Sequence, residues 1–222
     1  MFDKRINVFM GHYGSGKTFV SVNYAIALKN ISKKVSIYDL DIVNPYYRTV
    51  DAIKMLEDKG VELIVSPFAE TNVDLPALNA GSYKMLNKES GFAVLDIGGD
   101  DRGALALGRF KDGIKAENDY EIFFVVNYFR PETRTIEDAL QIKREIENSA
   151  KLKFTAIVNN ANLGNETTVD HVEKGYEFCK QLSVATGLPI KFTSVREDLI
   201  DENIYKKFER ILPVSPIKYG DW

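Results

Sequence analysis

The sequence contains very little cysteine and histidine, the side chains that most often bind soft or borderline metal ions. Its 222 residues include one cysteine, Cys179, and two histidines, His12 and His171. A single cysteine cannot form an intrachain disulfide, and no Cys-x-x-Cys or Cys-x-His pattern is present to bind zinc, nickel or an iron–sulfur cluster. The composition therefore excludes a disulfide-stabilised fold, argues against a GTP-dependent metal-insertion chaperone and fits the reducing cytoplasm.

The sequence also lacks long hydrophobic runs and a large excess of either charge. No apolar stretch approaches the ~20 residues that span a bilayer. Residues 1–12 do not resemble an export signal, because their short apolar run leads directly into a glycine-rich loop. The formal net charge is -3, from 29 basic and 32 acidic side chains, so nucleic acids and anionic membranes are not generally attracted. We therefore expect a cytoplasmic protein with no membrane anchor and no nucleic-acid partner.

What the sequence does contain is a regular alternation of short apolar runs and segments of helical periodicity. Seven runs rich in Val, Ile and Phe, with little polar alternation, are typical of parallel strands buried on both faces; they cover residues 6–10, 34–40, 61–66, 92–97, 121–127, 154–160 and 190–195. Two apolar stripes predict helices between them and place Cys179 in the core: Ile136, Ala139, Leu140 and Ile146, and Val169, Val172, Tyr176 and Cys179. We predict an α/β fold, a parallel sheet with helices on both faces, formed by residues 1–222 as one domain.

Residues 11–18 read GHYGSGKT and lie between a predicted strand and a predicted helix. This is the P-loop, or Walker A, pattern, in which glycines turn backbone N–H groups inward and the helix N-terminus adds positive charge for phosphates. Lys17 is predicted to reach the β- and γ-phosphates, and the Thr18 hydroxyl to contact Mg²⁺. The whole segment is predicted to contact the nucleotide: Gly11, His12, Tyr13, Gly14, Ser15, Gly16, Lys17, Thr18 and Phe19.

Acidic side chains follow two other predicted strands. Asp39 and Asp41 lie two residues apart and point the same way from an extended chain. They suit a metal ion and a bound water, and capping of a helix that starts near Pro45 is the structural alternative. Asp96 ends a buried strand in the segment DIGG, the position of a Walker B acid, and the glycines after it permit movement around a γ-phosphate.

These segments, in this order, resemble the MinD/ParA type of P-loop ATPase, and the resemblance covers residues 6 to about 198. That superfamily, of the SIMIBI class, also includes the nitrogenase iron protein and the cobyrinic-acid and dethiobiotin synthetases. The sequence is most similar to a group of CobQ/MinD-related ATP-binding proteins with segments like NPYYR and RPET. The resemblance implies a mainly parallel sheet of seven or eight strands, with ATP or ADP and Mg²⁺ as cofactors.

The resemblance also assigns roles to individual side chains. Lys17 and Thr18 would hold phosphate and Mg²⁺, and Asp39 would support the metal site. Asp41 would orient or activate a water molecule, and Asp96 would act on the metal through water.

His12 departs from the family pattern. Dimeric members usually carry a lysine at this position, which extends toward the nucleotide of the partner. An imidazole is shorter than a lysine side chain and is not a simple substitute for it. A role for His12 in shaping the loop and a role in catalysis both remain open, as do a second copy of this chain and another protein as partner.

The segment NNAN, residues 159–162, follows a predicted strand where GTPases of this class commonly place Asn-Lys-x-Asp. The aspartate that accepts two guanine protons is absent, whereas the amides of Asn159 and Asn160 both donate and accept, which suits adenine. We predict that Asn159 and Asn160 contact the base and that backbone groups around Val195 and Arg196 complete the pocket. A polar turn after the strand is the structural alternative.

The sequence therefore predicts a cytoplasmic, Mg²⁺-dependent ATP-binding protein with slow ATPase activity that acts as a nucleotide-dependent switch. The main alternative is an ATP-dependent synthetase or kinase of the dethiobiotin or cobyrinic-acid synthetase kind. Its small anionic substrate would be held by side chains in loops beyond the carboxyl ends of the strands, which otherwise serve in loop packing: Tyr46, Tyr47, Arg48, Arg102, Arg130 and Arg134.

Overall fold

One eight-stranded sheet organises the part of the chain that the computed structural model describes, residues 1–41, 49–65, 82–99 and 101–217. Its strands are β1 (Ile6–Met10), β2 (Val35–Leu40), β3 (Glu62–Val65), β4 (Phe92–Ile97), β5 (Tyr120–Val126), β6 (Ala156–Asn159), β7 (Ile190–Arg196) and β8 (Ile211–Val214). The spatial order is β3-β2-β4-β1-β5-β6-β7-β8, and all neighbouring strands pair in parallel.

Helices connect the strands and cover both faces of the sheet. Within the described residues they are α1 (Lys17–Lys29), α2 (Ile53–Asp58), α3 (Asp101–Gly108), α4 (Lys111–Glu117), α5 (Ile136–Ala150), α6 (Val169–Thr186) and α7 (Glu202–Lys207). The sequence marks several of these boundaries. Thr135 and Thr168 cap the N-termini of α5 and α6 with their side chains, and Gly187 ends α6 in the left-handed conformation.

The alternation of side chains along β1 divides the core in two. Ile6, Val8 and Met10 belong to a cluster that packs against α3, α4, α5 and α6. Phe9 points to the opposite face, into a cluster with α1 and α2. Because both faces of the strand are buried, β1 reads as a continuous apolar run in the sequence.

The predicted fold is confirmed, and one strand was missed. The seven predicted strands lie within two residues of β1 to β7 at each end, and Cys179 is buried in the core of α6 as predicted. The strand β8 was not predicted, because it is a short edge strand and Pro213 interrupts its apolar run. The assignment of residues 1–222 to one domain stays a prediction.

The strand order places the loop after β1 at the centre of one sheet edge. From β1 the chain crosses to β2 and β3 on one side of the sheet, returns to β4 beside β1, and then continues to β5 on the other side of β1; the helices that follow β1 and β4 cover opposite faces. Such a reversal of strand order opens a crevice at the carboxyl ends of the strands, where open α/β sheets bind ligands.

A buried tyrosine links α1 to the sheet. The ring of Tyr24 packs at 5.1 Å from that of Phe9 and at 5.7 Å from those of Phe123 and Phe192. Its hydroxyl donates a hydrogen bond of 2.9 Å to the side-chain oxygen of Asn7, which is fully buried. A buried acceptor that loses its only strong donor costs more than the bond itself contributes.

We predict that Tyr24→Phe lowers the free energy of unfolding by about 1–3 kcal/mol, because the Asn7 oxygen is left without its donor. Urea denaturation of the purified variant measures this change. Tyr205→Phe is the matched control, since that side chain is 61% exposed, and it should change stability by less than about 0.5 kcal/mol. Equal losses in both variants would contradict the proposed importance of the buried hydrogen bond.

Candidate functional site

The glycine-rich loop between β1 and α1 is folded tightly against neighbouring strands. Gly16 has a φ of 84°, and a side chain there would overlap the amide of Asn160. A Cβ atom at Gly11 would overlap the carbonyl oxygen of Val125 on β5. Since Gly16 has no side chain to cap α1, the first N–H groups of this helix are available to an anion.

Lys17 folds back over this loop. The residue is buried, and its ammonium donates a hydrogen bond of 3.2 Å to the carbonyl oxygen of His12. Gly99, just after β4, approaches from the other side: a Cβ atom there would lie 2.7 Å from the Lys17 nitrogen and 2.8 Å from the backbone nitrogen of Tyr13. The loop after β4 therefore packs directly against the P-loop.

The carboxylates predicted to act with the P-loop lie beside it. Asp39 and Asp96 are register partners on the adjacent strands β2 and β4, and each is 1% exposed. Asp41 is also buried, and its backbone N–H donates to Asp39 Oδ1 at 3.1 Å. The structure thus brings Asp39, Asp41 and Asp96 to the same sheet edge as Lys17.

Asp96 is held in an unusual electrostatic environment. Burial raises the pKa of its carboxyl group from 3.8 to about 6, although the hydroxyl groups of Thr18 and Thr49 and the charge of Lys17 lower it in part. The Thr49 hydroxyl donates to Asp96 Oδ2 at 2.8 Å. Sequence reasoning gave Thr49 no role, because a threonine in a loop has no spacing pattern that would reveal this contact.

These residues fit a magnesium ion. Asp96 Oδ1 is buried and accepts no hydrogen bond from the residues that the structure describes. It lies close to Thr18, whose hydroxyl is the expected ligand in a P-loop. No group of three or more His, Cys, Asp or Glu side chains arranged for a metal occurs among the described residues. Mg²⁺ commonly takes only one or two protein oxygens together with phosphates and waters, which agrees with this donor set.

Two asparagines lie at the end of β6, and the second of them contacts the P-loop. Asn160 donates to the carbonyl oxygen of Ser15 at 2.7 Å and accepts from the hydroxyl of Ser194 at 2.5 Å. Asn159 donates to the carbonyl oxygen of Val172 and accepts from the N–H of Ala161. Both side chains are buried and bonded within the protein. Their predicted contact with the base stays a prediction; in the structure Asn160 holds the P-loop at Ser15, and Asn159 links the end of β6 to α6.

Val195 and Arg196 end β7 beside this region. Val195 is buried in a third apolar cluster with Val172 and Ile204. The guanidinium of Arg196 binds Asp198 and donates to the carbonyl oxygens of Gly164 and Asn165. These contacts tie the loop after β7 to the loop after β6.

The remaining predicted P-loop residues differ in exposure. His12 is half-buried, with Nδ1 3.0 Å from the carbonyl oxygen of Tyr13, and the Tyr13 side chain itself is largely exposed. Phe19 packs on the core cluster beneath α1. Asn44, Pro45, Tyr46, Tyr47 and Arg48, and the side chain of Arg102, lie outside the described residues.

Solved structures with a similar fold include a signal recognition particle receptor, a signal recognition particle protein and a cell division protein. The signal recognition particle receptor FtsY from Elizabethkingia anophelis, in complex with GDP, matches with a TM-score of 0.56 and 15% identity over 89% of this chain and 58% of that chain. The 54 kDa protein of the signal recognition particle from Aeropyrum pernix, also with GDP, gives a TM-score of 0.56 and 15% identity over 86% and 41%. Cell division protein FtsY from Thermotoga maritima gives 0.57 and 17% over 87% and 62%.

What the chain shares with these structures is the α/β fold, here a parallel sheet with helices on both faces. The chain spans 41% to 62% of the length of these three proteins, and at such low identity the likeness concerns the fold alone. No protein-family model and no curated protein matches the sequence. Among the described residues, none of the helices is both long and apolar enough to cross a membrane.

We predict that Asp96→Asn stabilises the protein in the absence of nucleotide and Mg²⁺. Burial raises the pKa of Asp96 in the folded protein to about 6, above its ordinary value of 3.8. The carboxyl group is therefore neutral in both the folded and the unfolded state well below pH 3.8, and there it costs no stability. As the pH rises from 3.8 to about 6, the loss of folding stability grows to its full size. The variant should therefore gain about 1–3 kcal/mol over the wild type near neutral pH, and the gain should shrink as the pH falls.

Denaturation of both proteins between about pH 4.5 and pH 8 measures this difference. Asp58→Asn, at the exposed C-terminal end of α2, is the control and should show no comparable pH-dependent gain. A difference between wild type and Asp96→Asn that does not vary with pH would rule out burial of the Asp96 charge as its cause.

Proposed function

We propose that this chain is a Mg²⁺-dependent nucleotide-binding protein that prefers ATP, hydrolyses it slowly and acts as a nucleotide-dependent switch. The geometry of residues 11–18 carries the proposal. An ordinary strand-to-helix turn has no need for a buried lysine folded over its backbone, whereas Lys17 is held this way and its charge acts on the buried carboxyl group of Asp96. The GDP bound to two of the fold neighbours supports a nucleotide as the ligand.

Each side chain of the site has a place in this proposal. The Lys17 ammonium and the first N–H groups of α1 hold the phosphate chain. Thr18, Asp39 and Asp96 hold the ion, partly through water, and bound Mg²⁺ supplies the charge that offsets the phosphates. Asp41 accepts a hydrogen bond from the attacking water and orients it, while Asp39 fixes the turn of the backbone at Asp41.

The preference for adenine rests on the missing acid. Asn162 occupies the position of the guanine-binding aspartate, and its side-chain oxygen accepts from the N–H of Gly164 and the hydroxyl of Thr167. Guanine would find no carboxylate there. Since Asn159 and Asn160 have partners within the protein, their part is to shape the pocket wall, and backbone groups around Val195 and Arg196 contact the base.

A switch is favoured over a synthetase by the loop after β4. Gly98 and Gly99 follow the buried acid, and Gly99 packs against Lys17 and Tyr13. A γ-phosphate held by Lys17 would reach this loop directly, so the loop is placed to respond to hydrolysis. Several of the side chains suggested for a synthetase substrate lie outside the described residues. The hydrolysis assay described below therefore includes the synthetase as one of its outcomes. The proposed partner is a second copy of the chain or another protein.

We predict that ATP with Mg²⁺ binds the wild type more tightly than GTP and that Lys17→Ala removes most of the affinity for both. The lysine contacts phosphates, which the two nucleotides share, and its loss costs the core little. Isothermal titration calorimetry at matched concentrations measures both effects. Lys54→Ala, an exposed change on α2, is the control and should bind like the wild type.

Two results of that titration would overturn parts of the proposal. Tighter binding of GTP would replace the ATP preference with the nucleotide found in the fold neighbours. Unchanged binding by a folded Lys17→Ala protein would mean that the loop is not the nucleotide site.

We predict that Asp41→Asn keeps ATP bound and lowers single-turnover hydrolysis by something on the order of 10²-fold, because the attacking water loses its orienting carboxylate. Asp58→Asn serves again as the control and should hydrolyse ATP at the wild-type rate. Phosphate release from purified protein without any added acceptor is the measurement. A wild type that releases ADP only when a carboxylate or amine substrate is added would instead support the synthetase.

A further inference from the structure

The segment Arg130–Thr133, just after β5, runs alongside the P-loop. Arg130 Nε donates to the carbonyl oxygen of Gly14 at 2.7 Å. Two residues later, Glu132 Oε2 lies 3.9 Å from His12 Nδ1. Alternate residues of this segment therefore contact alternate residues of the phosphate-binding loop, and they bring one positive and one negative side chain to it.

The backbone of this segment is fixed by a buried asparagine. The N–H of Arg130 and the hydroxyl of Thr133 both donate to the carbonyl oxygen of Asn127, at 3.0 and 2.7 Å. Thr133 is fully buried, and Pro131 restricts the turn between them. The side chain of Arg130 thus starts from a backbone that these hydrogen bonds hold beside the P-loop.

The guanidinium of Arg130 has more hydrogen-bond donors than it uses in its contacts with the described residues. Its Nε is bonded to Gly14, but neither terminal nitrogen donates a hydrogen bond to any residue that the structure describes. The nearest acid along the segment, Glu132, lies against His12 instead. An exposed cation with unused, coplanar donors at the rim of a phosphate cradle suits a phosphate, since a guanidinium can bind phosphate oxygens through two parallel hydrogen bonds.

The side chain of His12 is directed toward its own chain. Its Nδ1 lies 3.0 Å from the carbonyl oxygen of Tyr13, which is within hydrogen-bonding distance. The ring is therefore bonded to its own loop. At the position where the family resemblance expects a lysine that reaches a partner's nucleotide, the structure has a side chain engaged within the same chain.

We propose that Arg130 is a second cationic ligand of the nucleotide's phosphates, supplied by the same chain that binds the nucleotide. The inference rests on the proposed nucleotide-binding function. It adds a second phosphate-binding residue and implies that a single chain supplies both cationic side chains. One chain provides both Lys17 and Arg130, so tight binding of the triphosphate needs no charge from a second copy.

The test compares binding of ATP with Mg²⁺ to wild type, Arg130→Gln and Arg130→Lys by calorimetry. Loss of charge-assisted hydrogen bonds should weaken binding to Arg130→Gln by roughly 10- to 100-fold. Arg130→Lys should fall between, because it keeps the charge and loses the planar fork. Arg144→Gln, the same change at an exposed position of α5, should bind like the wild type. Thermal unfolding of each variant checks that the fold is intact.

Two further titrations test whether Arg130 contacts the phosphates or only stabilises the loop, and whether it acts on the nucleotide bound to its own chain or to a second copy. Tripolyphosphate, which has no base, should lose affinity for Arg130→Gln by the same factor as ATP; a loss for ATP alone would overturn the phosphate contact. An excess of Lys17→Ala protein, which carries an intact Arg130, should not restore binding to Arg130→Gln. Restoration would show that the arginine acts across an interface and would overturn the inference.

The outcome for Arg130 is distinguishable from that for the proposed function. If the wild type binds no nucleotide, the proposed function fails and the inference fails with it. If the wild type binds ATP through Lys17 and Arg130→Gln binds equally well, only the inference fails.

Discussion

The site depends on the close approach of one loop to the ends of two neighbouring strands. Gly11 lies against the carbonyl of Val125 on β5, and Gly16 lies against the amide of Asn160 after β6. Neither position has room for a side chain. Because the loop is fixed on the sheet in this way, the N-terminus of α1 and the Lys17 ammonium have defined positions before a ligand arrives, and less ordering entropy is lost on binding.

The electrostatics of the site follow from the same packing. Parallel strands bring Asp39 and Asp96 side by side into a region that burial has stripped of water, where ionised carboxylates are unfavourable without a cation. Burial raises the pKa of Asp96, so its ionised form lowers the stability of the folded protein, although the charge of Lys17 offsets part of that cost. Buried acids with raised pKa values cluster at functional sites.

Much of the fold and of the candidate site was predictable from the sequence, and the contacts that were not predictable have a physical reason in common. The P-loop and the acids after β2 and β4 carry strict local spacing, and continuous apolar runs mark strands buried on both faces. Contacts between distant segments leave no such trace: nothing in the sequence connects Arg130 to Gly14 or Thr49 to Asp96. Asn159 and Asn160, at the end of β6, illustrate the difference: their place in the chain predicted a contact with the base, whereas in the fold their amides have partners within the protein.

The edge strand β8 has a consequence for how the protein behaves in a crowded solution. An open sheet edge presents unpaired backbone groups on which another chain can add a strand and begin to aggregate. This edge is only four residues long, and Pro213 removes one of its N–H donors. Pro213, which made β8 difficult to predict from the sequence, thus also makes this edge a poor template for intermolecular β-pairing.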